Sequence, residues 1–461
     1  MIREKRFYKT FTTLTLSLAL QNLLTYSVNL MDNVMLGAYS ETALSGAALC
    51  NQFQFLLQML VMGAAEGVVV LGSQYWGKKD FRPIPHIIGV ALRCGVGMAA
   101  VMFLAVLCFP AQVLGLLTSD TAVITEGVKY LQIICFTYLI FTATNVLTAS
   151  LRAIGIVKIG YMISASTLCI NVVLNYCLIY GSFGFPRLGI RGAAIATLVS
   201  RCVELLIVIW YLKYKEKQLK LTLKKLVMID KSYYKDYRRV ALPVLLNQAQ
   251  WGIAQMVQTG ILGHMGAAAI AANSIATIVY QIISVIAYGS TSASSILVGK
   301  TIGEGRRDKL RQMVHTMEVL FIGIGIVTGV VIYLVRNPVL MLYNISEEAH
   351  NLALQFIIVM SVTTVGTSFQ LPCDNGIIRG GGDTAFSMKM NLISIWLIIV
   401  PFSALAAFVF HWPPVVVFFL LKWDQIYKII PVTIRLHSWK WVKEVTRSDA
   451  EVLSEAEEMT A

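Results

Sequence analysis

Apolar residues along this chain come in long runs, not in alternation. Stretches of roughly 20 to 30 residues with little or no charge are separated by short segments where Lys, Arg, Asp and Glu gather. A hydrocarbon layer about 30 Å thick is crossed by roughly 20 apolar residues wound as a helix. Twelve runs meet that length, at about 11–38, 47–76, 86–109, 125–149, 158–180, 189–213, 240–263, 268–299, 314–335, 350–378, 387–410 and 413–434. Backbone groups inside a bilayer must pair within their own segment, so these runs are read as helices. The period-two alternation of a membrane barrel is absent. The pattern predicts an all-α polytopic membrane protein with twelve transmembrane helices.

Composition agrees: 57% of the 461 residues are hydrophobic and only 14% are charged. The net charge of +13 would suit a nucleic-acid partner if it formed one surface, but the basic residues sit in the short connections. Twelve spans put both ends of the chain on one side. About 30 of the 38 Lys and Arg fall in the segments on that side, while the opposite side holds Arg187, Arg191 and Arg336. This asymmetry predicts cytoplasmic termini and a lipid bilayer, not nucleic acid, as surroundings. The basic start "MIREKRFYKT" leads into an apolar run without a small-residue cleavage site, and is read as part of a retained first helix. None of the eight cysteines lies in a CxxC pair, so buried free thiols are expected.

The chain repeats itself. A shift of 226 residues superimposes "NVMLGAYSETALSG" on "TGILGHMGAAAIAA" and brings Gly37, Gly63 and Gly77 onto Gly263, Gly289 and Gly303. A shift of 227 places "LRAIG" on "IRGGG", matching Arg152 with Arg379. Six helices repeated in the same orientation predict two bundles related by a pseudo-two-fold axis along the membrane normal, a transporter architecture with its site between the bundles. The expected divisions are a first bundle at 1–212, a basic cytoplasmic linker at 213–239, a second bundle at 240–447 and an acidic, disordered tail at 448–461.

Six motifs then carry a family resemblance: "MDNVMLG", "SQYWGKKD", "LRAIG", "NVVLNYCLIYG", "GIRGAAIATLVSR" and "IIRGGGDT". In this order, with this repeat, the chain resembles the MATE multidrug and toxin extrusion transporters to about residue 447. The resemblance implies two six-helix lobes in a bacterial plasma membrane, exporting organic cations in exchange for H⁺ or Na⁺. It implies no enzymatic activity and no cofactor beyond the coupling ion. A monomer is expected.

The candidate site residues are those that stop making sense as structure. Asp32 lies about seven residues, roughly 10 Å, from the outer end of the first helix. Asn171 and Asn175 on the fifth helix and Thr197 on the sixth fall in the same slab, so one carboxylate and three neutral side chains could cage Na⁺ or carry a proton. An unpaired acid in a membrane helix is functional by default, since even lenient scales charge about 2.5 kcal/mol for it. The resemblance adds that Asp32 matches the family's first-helix aspartate and Asn171 an asparagine of the cation site in the DinF branch. Thr197 matches a threonine of that site, and Asn175 stands where that branch has a second aspartate and the NorM branch an asparagine. Glu66, in "GAAEGVVV", is the other ion-coupling candidate, with helix pairing as the alternative. Asn247, Trp251, Gln255 and Gln258 share one face of the seventh helix and are the substrate-binding candidates. The helix-7 and helix-10 acids of NorM-type proteins fall here on Trp251 and Ser368, and the repeat counterpart of Pro243 is Ser17, so a proline-bent first helix is not carried over. Arg201 with Glu204, and Asp424 with Lys428, read as structural pairs, and Asp374 reads as a boundary residue. "GGGD" at 380–383 imitates an intramembrane protease signature but falls in a loop. Two other readings stay open: a lipid-linked oligosaccharide flippase of the same superfamily, and a non-transporting membrane protein or enzyme.

Overall fold

A computed structural model of the chain describes residues 2–447 except 3, 119, 220, 222–225, 227–230, 342 and 344. The acidic tail and part of the basic linker lie outside the described residues. Twelve spans run in order. The first lobe contains α1 (Lys5–Tyr39), α2 (Glu41–Gly77), α3 (Ile84–Cys108), α4 (Thr121–Ile134 with Thr137–Ala153), α5 (Lys158–Tyr180) and α6 (Ile190–Tyr214). The second contains α7 (Lys231–Gly263), α8 (Ala267–Ile283 with Val285–Gly303), α9 (Arg307–Leu340), α10 (Glu347–Ile378), α11 (Thr384–Val409) and α12 (Pro414–Lys422, Asp424–Tyr427 and Ile429–His437). The α4 and α8 spans each bend by 49° between their two pieces. At the α4 bend the Thr137 hydroxyl donates to the Ile134 carbonyl, supplying a partner where the ladder breaks. α10 ends in a wide turn, Pro372–Ile378, where proline cannot donate to the helical ladder.

Among the described residues, seven helices are individually long and apolar enough to cross a membrane, and nine once each bent pair is one span. α1, α7 and α12 fall short. The first two carry the polar side chains singled out above, and the third is broken into three short pieces. A helix whose polar face looks into a protein interior loses hydropathy without losing its place in the bilayer. The expectation for cysteine needs correcting: Cys50, Cys135, Cys177 and Cys373 are buried, but Cys94, Cys108 and Cys169 are exposed. An apolar run turned outward exposes its thiols as readily as its leucines.

The lobes meet where α1 packs on α8 and α2 on both α7 and α8. These crossings obey the sequence repeat. A Cβ at Gly63 would lie 2.6 Å from Leu245 Cα, and one at its counterpart Gly289 would lie 3.0 Å from Ala19 N; Ala19 and Leu245 are themselves counterparts. Toward the end bearing the basic loops the two copies touch directly. A Cβ on Gly77 would stand 2.1 Å from the Lys300 carbonyl oxygen, and one on Gly303 would stand 2.0 Å from that of Gln74. Only glycine allows helix backbones this close. Since 77 and 303, and 74 and 300, are repeat pairs, the pseudo-two-fold axis passes through this contact. α2 is almost wholly buried from Val61 to Tyr75, whereas Asn51 and Gln52 are exposed. The lobes are therefore closed together at the basic face.

A strap from the second lobe reinforces the closure. After α12 the chain crosses to α2, where Gln74 Nε2 donates to the Lys443 carbonyl at 3.1 Å and Gln74 Oε1 accepts from Val445 N at 3.0 Å. Arg447 Nε reaches Asp236 at the start of α7 at 2.6 Å. Trp441, fully buried, packs on Gly381 and anchors the strap to its own lobe.

Candidate functional site

The first lobe brings Asp32, Asn175, Asn171 and Thr197 into one chain of contacts. Asn171 and Asn175 are one turn apart on α5, facing α1 on one side and α6 on the other, and are 1% and 0% exposed. Asn175 Nδ2 donates to Asp32 Oδ1 and, at 3.1 Å, to Asn171 Oδ1. Asn171 Nδ2 in turn donates to Thr197 Oγ1 at 3.2 Å. The register is fixed at both ends of the α1–α5 contact. The Tyr180 hydroxyl donates to the Met35 carbonyl at 2.8 Å, and Gly160 gives room to Gln21. Between α5 and α6, Gly192 lies against the Leu178 carbonyl.

Asp32 itself is half-buried, and among the described residues it makes no ion pair. The nearby guanidinium of Arg201 is engaged elsewhere, by Glu204 at 2.7 Å and over the Phe141 ring. The Oδ1 of Asn175 is buried without a hydrogen-bond partner among the described residues. A carboxylate bonded to an amide, with a spare amide oxygen beside it, can bind a cation through oxygen. It can equally take a proton, if the amide turns to accept the resulting O–H.

Glu66 belongs to a different place. It is 6% exposed on α2, with Oε1 at 3.5 Å from Arg152 Nη2 and Oε2 at 3.5 Å from Arg379 Nη2. The four substrate-binding candidates divide. Trp251 is 40% exposed, its ring 6.3 Å from that of Phe55 across the lobe boundary. Gln255 and Gln258 are half-buried on the same helix. Asn247 instead turns into the second lobe, accepting from Gln250 at 3.0 Å and from Asn391 at 3.1 Å.

With this geometry in hand, comparisons with known proteins identify the architecture. The MatE family model matches residues 17–177 and 243–405, two blocks whose starts are one repeat apart. The chain belongs to the MatE family. A probable multidrug resistance protein NorM of Thermotoga maritima is 27% identical over 82% of this chain and 80% of its own length. The uncharacterized transporter YisQ of Bacillus subtilis is 25% identical, covering 81% and 82%. A crystal structure of MATE in complex with MaL6 superimposes with a TM-score of 0.85 at 19% identity, covering 94% of this chain and 97% of that one. The fold is thus the two-bundle, twelve-helix MATE fold of a multi-pass membrane protein.

Sequence reasoning missed a second buried network, which in this MatE chain lies entirely in the second lobe. Asp374, read as a boundary residue, is 1% exposed; Ser387 donates to it at 2.6 Å and Asn391 lies 3.5 Å away. Lys428 bridges Asn391 and Asp424, both at 2.8 Å. The Asp424–Lys428 spacing was legible, but nothing in the sequence indicated that Asp374 turns inward on the wide turn after Pro372. Asp383, in the "GGGD" loop, is held by Arg435 and by Lys443 at 2.7 Å, as a loop anchor would be. Among the described residues no three His, Cys, Asp or Glu side chains form a metal-binding group.

Proposed function

We propose that this MatE protein is a secondary active multidrug efflux transporter, exchanging cationic amphipathic compounds for H⁺ or Na⁺ by alternating access. Asp32 takes up and releases the coupling ion. The observation that carries this reading is a half-buried carboxylate without an ion pair among the described residues, bonded to the fully buried Asn175. A charge so placed must be compensated by something that comes and goes. Asn171, Asn175 and Thr197 supply the neighbouring oxygens, and the ion shifts the balance between lobe arrangements by as much as its affinity differs between them.

The exposed Trp251, with Phe55 opposite, offers an aromatic surface for an organic cation, and Gln255 and Gln258 offer neutral hydrogen bonds. Four basic side chains within the spans are engaged: Arg93 with Tyr234, Arg201 with Glu204, Lys428 with Asp424, and Lys422 over Phe418. That leaves little to grip the pyrophosphate of a lipid-linked sugar, which favours drug efflux over flipping. The charge asymmetry favours a cytoplasmic basic face in a bacterial plasma membrane. One chain supplies both lobes, so a monomer suffices.

The test is efflux of a fluorescent organic cation from proteoliposomes under an imposed pH or Na⁺ gradient. One gradient should drive the wild-type protein, and Asp32→Asn should abolish the response. Equal gradient-driven transport by Asp32→Asn would remove Asp32 from the coupling role.

A further inference from the structure

Glu66 stands between two arginines that are copies of one another. Arg152 closes the first lobe's α4 and Arg379 follows α10 of the second; they match under the 227-residue shift. Each is followed three residues later by a glycine with positive φ, Gly155 at 78° and Gly382 at 94°, so the local turns are copies as well. The Glu66 carboxylate lies 3.5 Å from both guanidinium groups. A group equally distant from two pseudo-symmetric partners sits close to the axis relating them. Its own repeat counterpart is Ser292, which brings no second acid.

The three charges do not cancel. One carboxylate holds two guanidinium groups, and both Nε atoms are buried without a hydrogen-bond partner among the described residues. Removing the acid would leave two like charges facing each other across the lobe boundary, in surroundings that screen them poorly. Arg152 shares a lobe with Glu66, so that contact persists however the lobes move. Arg379 does not, and opening the basic face must part it from Glu66.

We propose that Glu66 is a positioning residue for transport: it clasps the two lobes at the basic face through Arg379, and this contact breaks and re-forms once per cycle. Arg152 keeps the carboxylate aimed at the axis. The proposal rests on the alternating-access reading, and a distance measurement that needs no transport separates the two.

Spin labels at Lys158 and Gln312 report the basic face, and labels at Phe183 and Met341 the opposite face, all in the full chain with its native cysteines replaced. Glu66→Gln should convert at least half of the short basic-face distances to long ones and lower the maximal efflux rate at least tenfold with little change in substrate KM. Adding Arg379→Gln to that variant removes the exposed repulsion and should restore the short distances. Arg379→Gln alone should weaken closure more than Arg152→Gln does. The clasp is overturned if Glu66→Gln keeps wild-type distances, or if the double variant is as open as Glu66→Gln. It is also overturned if the two arginine variants are indistinguishable. Should Glu66→Gln not yield folded protein, the comparison of the two arginine variants decides alone. Loss of gradient response in every variant with distances unchanged would spare the coupling role of Asp32 and sink the clasp.

Discussion

A single methyl group at Gly77 should open the basic face. The structure places an added Cβ 2.1 Å from the Lys300 carbonyl oxygen and 2.9 Å from both Glu304 N and Gly303 Cα, where ordinary contact begins near 3.4 Å. The deficit is about 1.3 Å, and the obstructing atoms are backbone at the end of α8 and its capping residue Glu304, so no rotamer change relieves it. Overpacking at such sites costs about 1–3 kcal/mol, and the upper half of that range applies to a rigid neighbour. At 1.4 kcal/mol per factor of ten, Gly77→Ala should lower the closed-to-open ratio by roughly 30- to 140-fold. The basic-face label pair at Lys158 and Gln312 reads this ratio directly, and thermal unfolding checks that each lobe stays intact. Gly303→Ala should act alike, because its Cβ would meet the Gln74 carbonyl at 2.0 Å. The double variant should be less than additive, since either methyl already separates the same pair of helices. Wild-type closed distances in Gly77→Ala would refute the claim that close backbone contact at the axis sets the closed state.

Two further outcomes follow from the buried networks. Asn175→Leu removes the donor shared by Asp32 and Asn171; a hydrogen bond to a charged group is worth about 1.5–3 kcal/mol. The ion concentration giving half-maximal efflux should therefore move by roughly tenfold or more, and an unchanged value would mean that Asn175 does not tune the site. Asp374→Asn keeps the shape but weakens the contacts to Ser387 and Asn391, at a cost of about 1–3 kcal/mol. That should lower the thermal midpoint in detergent while leaving the ion that drives efflux unchanged.

Much of this was open to a reader of the sequence. Spans of about 20 apolar residues mark themselves, and the repeat shows in glycines because glycines sit where helices touch. Asp32, Asn171, Asn175 and Thr197 could be placed together because depth along a helix follows from counting residues. What counting cannot supply is the rotation of a helix about its own axis, or how two lobes dock. Asn247 shares a stripe with Trp251, yet it turns inward to Asn391. Depth along α10 placed Asp374 near the boundary, but counting could not show that its side chain is buried and bonded to Ser387. Glu66 and Arg379, 313 residues apart, meet only because the lobes close at one end. The repeat named Arg152 and Arg379 as counterparts but could not show that both point at the axis.

The Gly77–Gly303 contact has the form of a homodimer interface, in which the same patch is presented twice. A lone six-helix chain carrying glycine at this position could pair with its own copy there, with no second sequence needed. The acid between the arginines is another matter. Two identical chains would bring two carboxylates to the same spot, repelling each other and halving the arginines available to each. The backbone contact is thus compatible with two equal halves, whereas the acid requires halves that differ in sequence. Two unlike halves in one chain let a residue close to the symmetry axis exist once.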